Sequence, residues 1–142
     1  ARVIDFLTNA PEYTSSPLVV WGEGIREGPT ALYLAAIDNR VSTAISSHGL
    51  VTYQNVVDAD GLPDFDYYVP AILRYADLPQ IAAAAAPRRV WISAPVDIEQ
   101  RILDIDRAAK EYEWTAKAFA AGRSGGFAIV AQTDLVRRLA VN

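Results

Sequence analysis

The chain has 142 residues, of which 51% are hydrophobic and 21% are charged, and its formal net charge is -4 at pH 7. These values are typical of one well-packed globular domain, which we take to span residues 1–142, and they exclude a disordered chain. The acidic balance disfavours nucleic acid and anionic membranes as partners, and no apolar run approaches the ~20 residues of a membrane helix. Without Cys, disulfides and thiolate metal sites are excluded.

Short apolar runs alternate with helical patterns along the chain. In chain order the patterns predict a helix ending near Asn9, a strand at 17–22, a helix at 28–38, a strand at 41–47, a helix at 78–87, a strand at 89–94, a helix at 98–122, a strand at 127–131 and a helix at 133–142. Strands that alternate with helices through short connections favour parallel pairing. The fold expected is therefore α/β, a three-layer sandwich with a mostly parallel sheet.

Residues 50–77 form an irregular, aromatic excursion between the second strand and the next helix. It contains five aromatic side chains and is interrupted by glycine and proline; these residues are Tyr53, Phe65, Tyr67, Tyr68 and Tyr75, with Gly61, Pro63 and Pro70. Such a stretch can line a sugar-binding cleft, or it can pack against the core, which we favour.

Functional sites of parallel sheets gather beyond the carboxyl ends of the strands. The first such place, GEGIREG at residues 22–28, resembles a glycine-rich phosphate loop. Its spacing is not G-x-G-x-x-G, the ribose-binding acid is missing, and Glu23 and Glu27 would repel a pyrophosphate. The sequence therefore predicts no nucleotide and no other cofactor.

The remaining polar residues at strand ends have structural explanations. Asp97 follows the third strand, where aspartate often caps the next helix. Ser47 and His48 lie next to each other, but adjacent strand residues point to opposite faces, so we do not expect a catalytic pair. Glu23 and Glu27 can form an acidic pair, although solvated turn charges are favoured. A metal site would have to join separate segments, and we predict none.

Three quoted stretches carry a resemblance to a known superfamily. PLVVWGEG…GPTALYLAAIDNRV, SSHGLVTYQNVV and YVPAILRYADLPQIAAAAAPRRVWISAPVD occur in this order. Together they resemble the C-terminal half of an α/β-hydrolase, most similar to the acetyl-xylan-esterase-like and dienelactone-hydrolase-like branch. The run DLP…APR…PVD is the more specific part. The resemblance implies a nucleophile elbow between the first strand and its helix.

The catalytic triad that the resemblance implies is mostly missing. The nucleophile position falls on Gly24, counted from the strand, or on Ile25, counted back from the helix, and neither side chain can attack. The acid position falls on Asp97 and is retained. The histidine position falls on Gln132 or Thr133, neither of which is a useful base.

Three functions follow from these residues. The first is an α/β-hydrolase-like domain with a degenerate triad, acting as a structural or interaction module. The second is a carboxylic-ester hydrolase, acetyl-xylan-esterase-like, that is completed by a missing N-terminal half or by a partner chain, with Ser47 and His48 as an alternative site. The third is a carbohydrate-binding module that uses the aromatic excursion.

The first strand carries four successive apolar residues, a pattern typical of a strand covered on both faces. The chain contains no Met, so we expect that Ala1 is not a translation start and that the chain was processed or cut from something longer. In the hydrolase fold another strand would pair with residues 17–22. We therefore expect this edge to associate with the missing N-terminal half of the fold or with another copy of the chain.

Overall fold

The structure, a computed structural model, describes residues 2–13, 16–59, 69–122 and 126–140. Its elements are α1 (Arg2–Asn9), β1 (Leu18–Glu23), α2 (Glu27–Ile37), β2 (Val41–Ser47), α3 (Tyr53–Asp58), a 3-10 turn (Ile72–Arg74), α4 (Leu78–Ala84), β3 (Arg89–Ser93), α5 (Ile105–Glu111), α6 (Glu113–Ala121), β4 (Phe127–Val130) and α7 (Gln132–Ala140). The four predicted strands are confirmed, each with its ends within one residue of the prediction. No helix within the described ranges is long and apolar enough to cross a membrane.

The four strands form one parallel sheet in the order β1-β2-β3-β4. Alternate residues of the strands face opposite sides, which places Ala44 and Ile92 in a large core cluster and Ile45 and Trp91 in a smaller one. The large cluster contains residues of α2, α4 and α5, whereas the smaller one contains Leu135 of α7. Helices therefore cover both faces, and the predicted α/β fold is confirmed.

Trp91 in β3 is only 6% exposed, as the apolar run around it predicts. The expectation that β1 is covered on both faces is wrong. Leu18 and Val20 pack against the large cluster, but Val19 is 39% and Trp21 44% exposed on the opposite face. The reason is that the smaller cluster beneath α7 contains residues of β2, β3 and β4 but none of β1.

The single helix predicted at 98–122 is also wrong, since α5 begins at Ile105 and α6 begins at Glu113. The carboxylate of Asp97 accepts a hydrogen bond from the Arg101 N–H at 2.9 Å, which closes a turn instead of a helix. Asp104 then caps α5 by accepting from the Arg107 N–H at 2.8 Å. Local side-chain acceptors thus compete with helix formation between β3 and α5.

The excursion at 50–77 contains α3 and the 3-10 turn and is joined to α4 by Asp77. The Asp77 carboxylate accepts from the N–H groups of Tyr53 at 2.6 Å, Gln54 at 3.1 Å and Leu78 at 2.6 Å. Of the aromatic residues in the excursion, Tyr53 is buried and Tyr75 is 84% exposed. Phe65, Tyr67 and Tyr68, which the sugar-cleft hypothesis needs, lie outside the described residues, as do Gly61 and Pro63.

Candidate functional site

A tight turn joins β1 to α2 at the carboxyl edge of the sheet. Gly24 has φ +116°, a conformation that favours glycine, and its N–H donates to the carbonyl oxygen of Ser47 at 2.8 Å. The Gly28 N–H donates to the Gly24 carbonyl at 2.9 Å, which closes the turn. A side chain at Gly22 would collide with the backbone carbonyl of Glu27. The sequence folds into a sharp elbow here because these positions carry no side chain.

The elbow holds no nucleophilic side chain. A Cβ built on Gly24 would lie 2.8 Å from Oε2 of Glu27, so the glutamate carboxylate occupies the space into which a side chain at position 24 would project. Ile25, the other nucleophile position predicted, packs partly buried against the large core cluster. Neither residue can attack a carbonyl carbon.

Beside the elbow, Glu23 and His48 form a carboxylate–imidazole pair. Nδ1 of His48 lies 2.7 Å from Oε1 of Glu23, and the Trp21 indole N–H donates to Oε2 at 3.0 Å. Ser47 Oγ lies 3.3 Å from the same Nδ1 atom. The expectation that Ser47 and His48 point to opposite faces of the sheet is therefore wrong. His48 has φ +50° and has left the extended strand conformation, which turns its ring back toward Ser47.

The protonation of this pair decides what Ser47 can do. Partial burial raises the pKa of Glu23, but hydrogen bonds from Ser47, His48 and Trp21 lower it, and its net pKa lies below the usual value. An ionised carboxylate only accepts, so Nδ1 of His48 must carry the hydrogen that is donated to Glu23, and this atom cannot take a proton from Ser47. Ser47 is also fully buried, at 0% exposure. The geometry orients the imidazole without activating the serine.

Asp97 lies where the resemblance places the triad acid, but its carboxylate is committed to Arg101. Arg101 donates to it from the backbone N–H at 2.9 Å and from Nε at 2.7 Å. Burial raises the pKa of Asp97, which is 3% exposed, while the hydrogen bonds from Arg101 lower it, and the net shift is downward. Asp97 thus closes a loop, and the contacts of its carboxylate do not include an imidazole.

Gln132 and Thr133 are the first two residues of α7, and both are exposed. They follow β4, which lies at the opposite edge of the sheet from β1. Three strand spacings of ~4.8 Å put these edges about 14 Å apart. Only Ala131 lies between β4 and α7, so no loop carries either residue back toward Gly24.

The structure therefore brings together Glu23, Ser47 and His48, and it leaves Asp97 and Gln132 elsewhere. Sequence reasoning missed the Glu23–His48 pair. The available signal was the parallel pairing of β1 with β2, which sets Glu23 opposite Ser47. Among the described residues, no three His, Cys, Asp or Glu side chains are grouped so as to hold a metal ion.

Comparison with known proteins identifies a solved structure with a similar fold. No family model and no curated protein matches the chain. Among solved structures it is similar to a promiscuous CE15 esterase from the marine bacterial metagenome, at 16% identity and a TM-score of 0.61. The match covers 91% of this chain but 40% of the esterase chain, so the chain spans less than half of its neighbour's length. At this identity the likeness concerns the fold alone: the α/β fold of this chain is similar to part of the fold of that esterase.

Proposed function

We propose that this chain is an α/β-hydrolase-like domain with a degenerate catalytic triad that serves as a non-catalytic structural or interaction module. The observation that carries the proposal is at the elbow. Gly24 keeps the positive φ of a sharp strand-to-helix turn but has no side chain that could attack, and a Cβ there would lie 2.8 Å from Oε2 of Glu27. A nucleophile elbow without a nucleophile cannot form an acyl-enzyme.

The other two triad positions support the same conclusion. The Asp97 carboxylate is held by two hydrogen bonds from Arg101 and so is engaged in its own loop. Gln132 and Thr133 begin α7 at the far edge of the sheet. Neither an amide nor a hydroxyl of this kind takes up a proton near neutral pH, which the base of the triad must do.

Hydrolysis of p-nitrophenyl acetate tests the proposal. We expect no saturable turnover from the wild-type chain, from Gly24→Ala or from His48→Gln, and the wild type and Gly24→Ala should have the same non-saturable rate. The His48→Gln variant corrects for attack by the lone imidazole, which needs no active site. Saturable turnover that either substitution abolishes in a folded variant would refute the non-catalytic role.

A second candidate function, ester hydrolysis completed by a partner or by further polypeptide, is favoured by the 2.7 Å contact between Glu23 and His48. That contact orients an imidazole as a catalytic base must be oriented. Reaction of a fluorophosphonate probe with the full-length polypeptide, or with the chain together with its partner, separates the two functions. Labelling that maps to Ser47 and disappears in Ser47→Ala would support the hydrolase; we expect no labelling, because Ser47 is buried and faces a donor nitrogen.

A further inference from the structure

Within the part of the chain that the structure describes, β1 pairs with β2 and has a free edge on its other side. Backbone groups of a strand alternate between its two edges. The Gly24 N–H donates to Ser47 and the Leu18 carbonyl accepts from Ser42 Oγ, so the even-numbered positions of β1 face β2. The N–H and C=O groups of Val19 and Trp21 therefore point outward at the free edge.

The surroundings of this edge are apolar. Val19 is 39% and Trp21 44% exposed, on the same face of the sheet. A groove of about 370 Å³ lies beside Val19, with Leu7, Tyr13 and Leu18 among its lining residues. α1 contributes Leu7 to the groove but supplies no strand to the edge. Backbone groups that pair with no described strand, next to exposed apolar side chains, form a template for strand addition.

We propose that β1 pairs antiparallel with β1 of a second copy of this chain, with the twofold axis at Val20. This inference deepens the proposed interaction role and rests on it. Because the backbone groups of Val19 and Trp21 point outward, Val19 and the partner's Trp21 form a hydrogen-bonded pair. By symmetry, Trp21 and the partner's Val19 form another. Each such pair exchanges two backbone hydrogen bonds.

The side chains of β1 are self-complementary in this register. A β-branched residue faces an aromatic one in both pairs, a favourable cross-strand combination. The partner's Trp21 lies opposite Val19, which borders the apolar groove. Glu23, the one charged residue of β1, faces the partner's Pro17, so the two carboxylates lie at opposite ends of the pairing. Pro17 lacks an N–H, and proline is tolerated on edge strands.

The first test is the mass of the 142-residue chain in solution, measured by light scattering during size-exclusion chromatography. At micromolar concentration we expect a doubled mass that falls on dilution. Trp21→Pro removes an N–H at the free edge and should yield the monomer, whereas Trp21→Phe, which keeps that N–H, should remain dimeric. Circular dichroism confirms that each variant is folded.

The second test reads the register by cross-linking. Because the chain has no Cys, single cysteines can be introduced cleanly. Val20 faces the partner's Val20 at a Cα separation of about 4.5 Å, within disulfide range. Val20→Cys should therefore form a covalent dimer on mild oxidation. Leu18→Cys, on the same face, is the matched control: its copies are offset by four residues, or about 13 Å, and should not cross-link.

A wild-type chain that stays monomeric at these concentrations would overturn the proposal. So would a dimer that survives Trp21→Pro in folded form, or one that cross-links through Leu18→Cys and not through Val20→Cys. A monomer whose edge binds a different polypeptide also refutes pairing with a second copy. Esterase activity in the assay above would refute the non-catalytic role alone, because mass and cross-linking do not depend on turnover.

Discussion

The Glu27 side chain lies close to the α-carbon of Gly24 just after the end of β1, and a Cβ on the glycine would lie 2.8 Å from Oε2 of the glutamate. The contact is with the end of a flexible side chain, which can move away. At Gly22 the same addition meets the backbone carbonyl of Glu27, which cannot move without distorting the elbow. The two glycines therefore have different reasons to be glycine.

We predict that Gly22→Ala destabilises the fold more than Gly24→Ala. The positive φ of Gly24 should cost about 1–2 kcal/mol with alanine. The backbone collision at Gly22 should cost about 3 kcal/mol or more. Urea unfolding measures both, and Gly122→Ala, at φ -75° and exposed, is the control that should change little. Equal stabilities of the Gly22 and Gly24 variants would contradict the elbow geometry.

We predict that the neutral ring of His48 carries its proton on Nδ1, because that atom faces the ionised carboxylate of Glu23 at 2.7 Å. His48 is the only histidine, so nitrogen NMR of the imidazole reports this site alone. Glu23→Gln removes the charge and should reduce the Nδ1–H population. A ring protonated mainly on Nε2 in the wild type would instead leave Nδ1 free to accept from Ser47, and our account of the site would be wrong.

We predict that Asp97 makes the free energy of unfolding decrease at low pH. Its pKa lies below the ordinary 3.8, so the ionised carboxylate contributes stability that is complete above that pH and is lost as the pH falls through the folded-state pKa. Asp97→Asn should cost about 1–3 kcal/mol at pH 7 and progressively less below pH 3.8. Urea unfolding at pH 7 and pH 3 measures this. Asp106→Asn, at an exposed position, is the control and should change the free energy of unfolding little at pH 7.

Asp77, the aspartate of the DLP run, should be important for stability. Its carboxylate accepts from N–H groups that begin both α3 and α4. Asp77→Ala should cost about 2–3 kcal/mol, and Asp77→Asn less, because an amide oxygen can still accept. Asp104→Ala is the matched control: Asp104 caps α5 alone, and its loss should cost about 1 kcal/mol. If both alanine variants unfold alike, Asp77 does not join the two helices energetically.

Two residues of the run DLP…APR…PVD, on which the resemblance to hydrolases depends, thus have a structural explanation. Asp77 caps helices and Asp97 closes a turn, so these two aspartates were recognisable in the sequence for reasons of folding. The absence of a nucleophile at Gly24 was also readable from the sequence, since a glycine cannot attack in any fold. The position of the Glu27 carboxylate beside Gly24 could not be predicted from the sequence.

The sequence by itself determined the four strands, their parallel pairing and the burial of Trp91, because apolar periodicity and short connections are local properties of the chain. Only the tertiary structure decided the contact between Glu23 and His48, since it depends on the register of β1 against β2 and on the left-handed backbone of His48. The exposure of Val19 and Trp21 was likewise decided by packing. The sequence pattern of an apolar strand is the same whether or not a helix lies over it. Here α7 packs over the other strands and leaves the Val19 and Trp21 face of β1 uncovered.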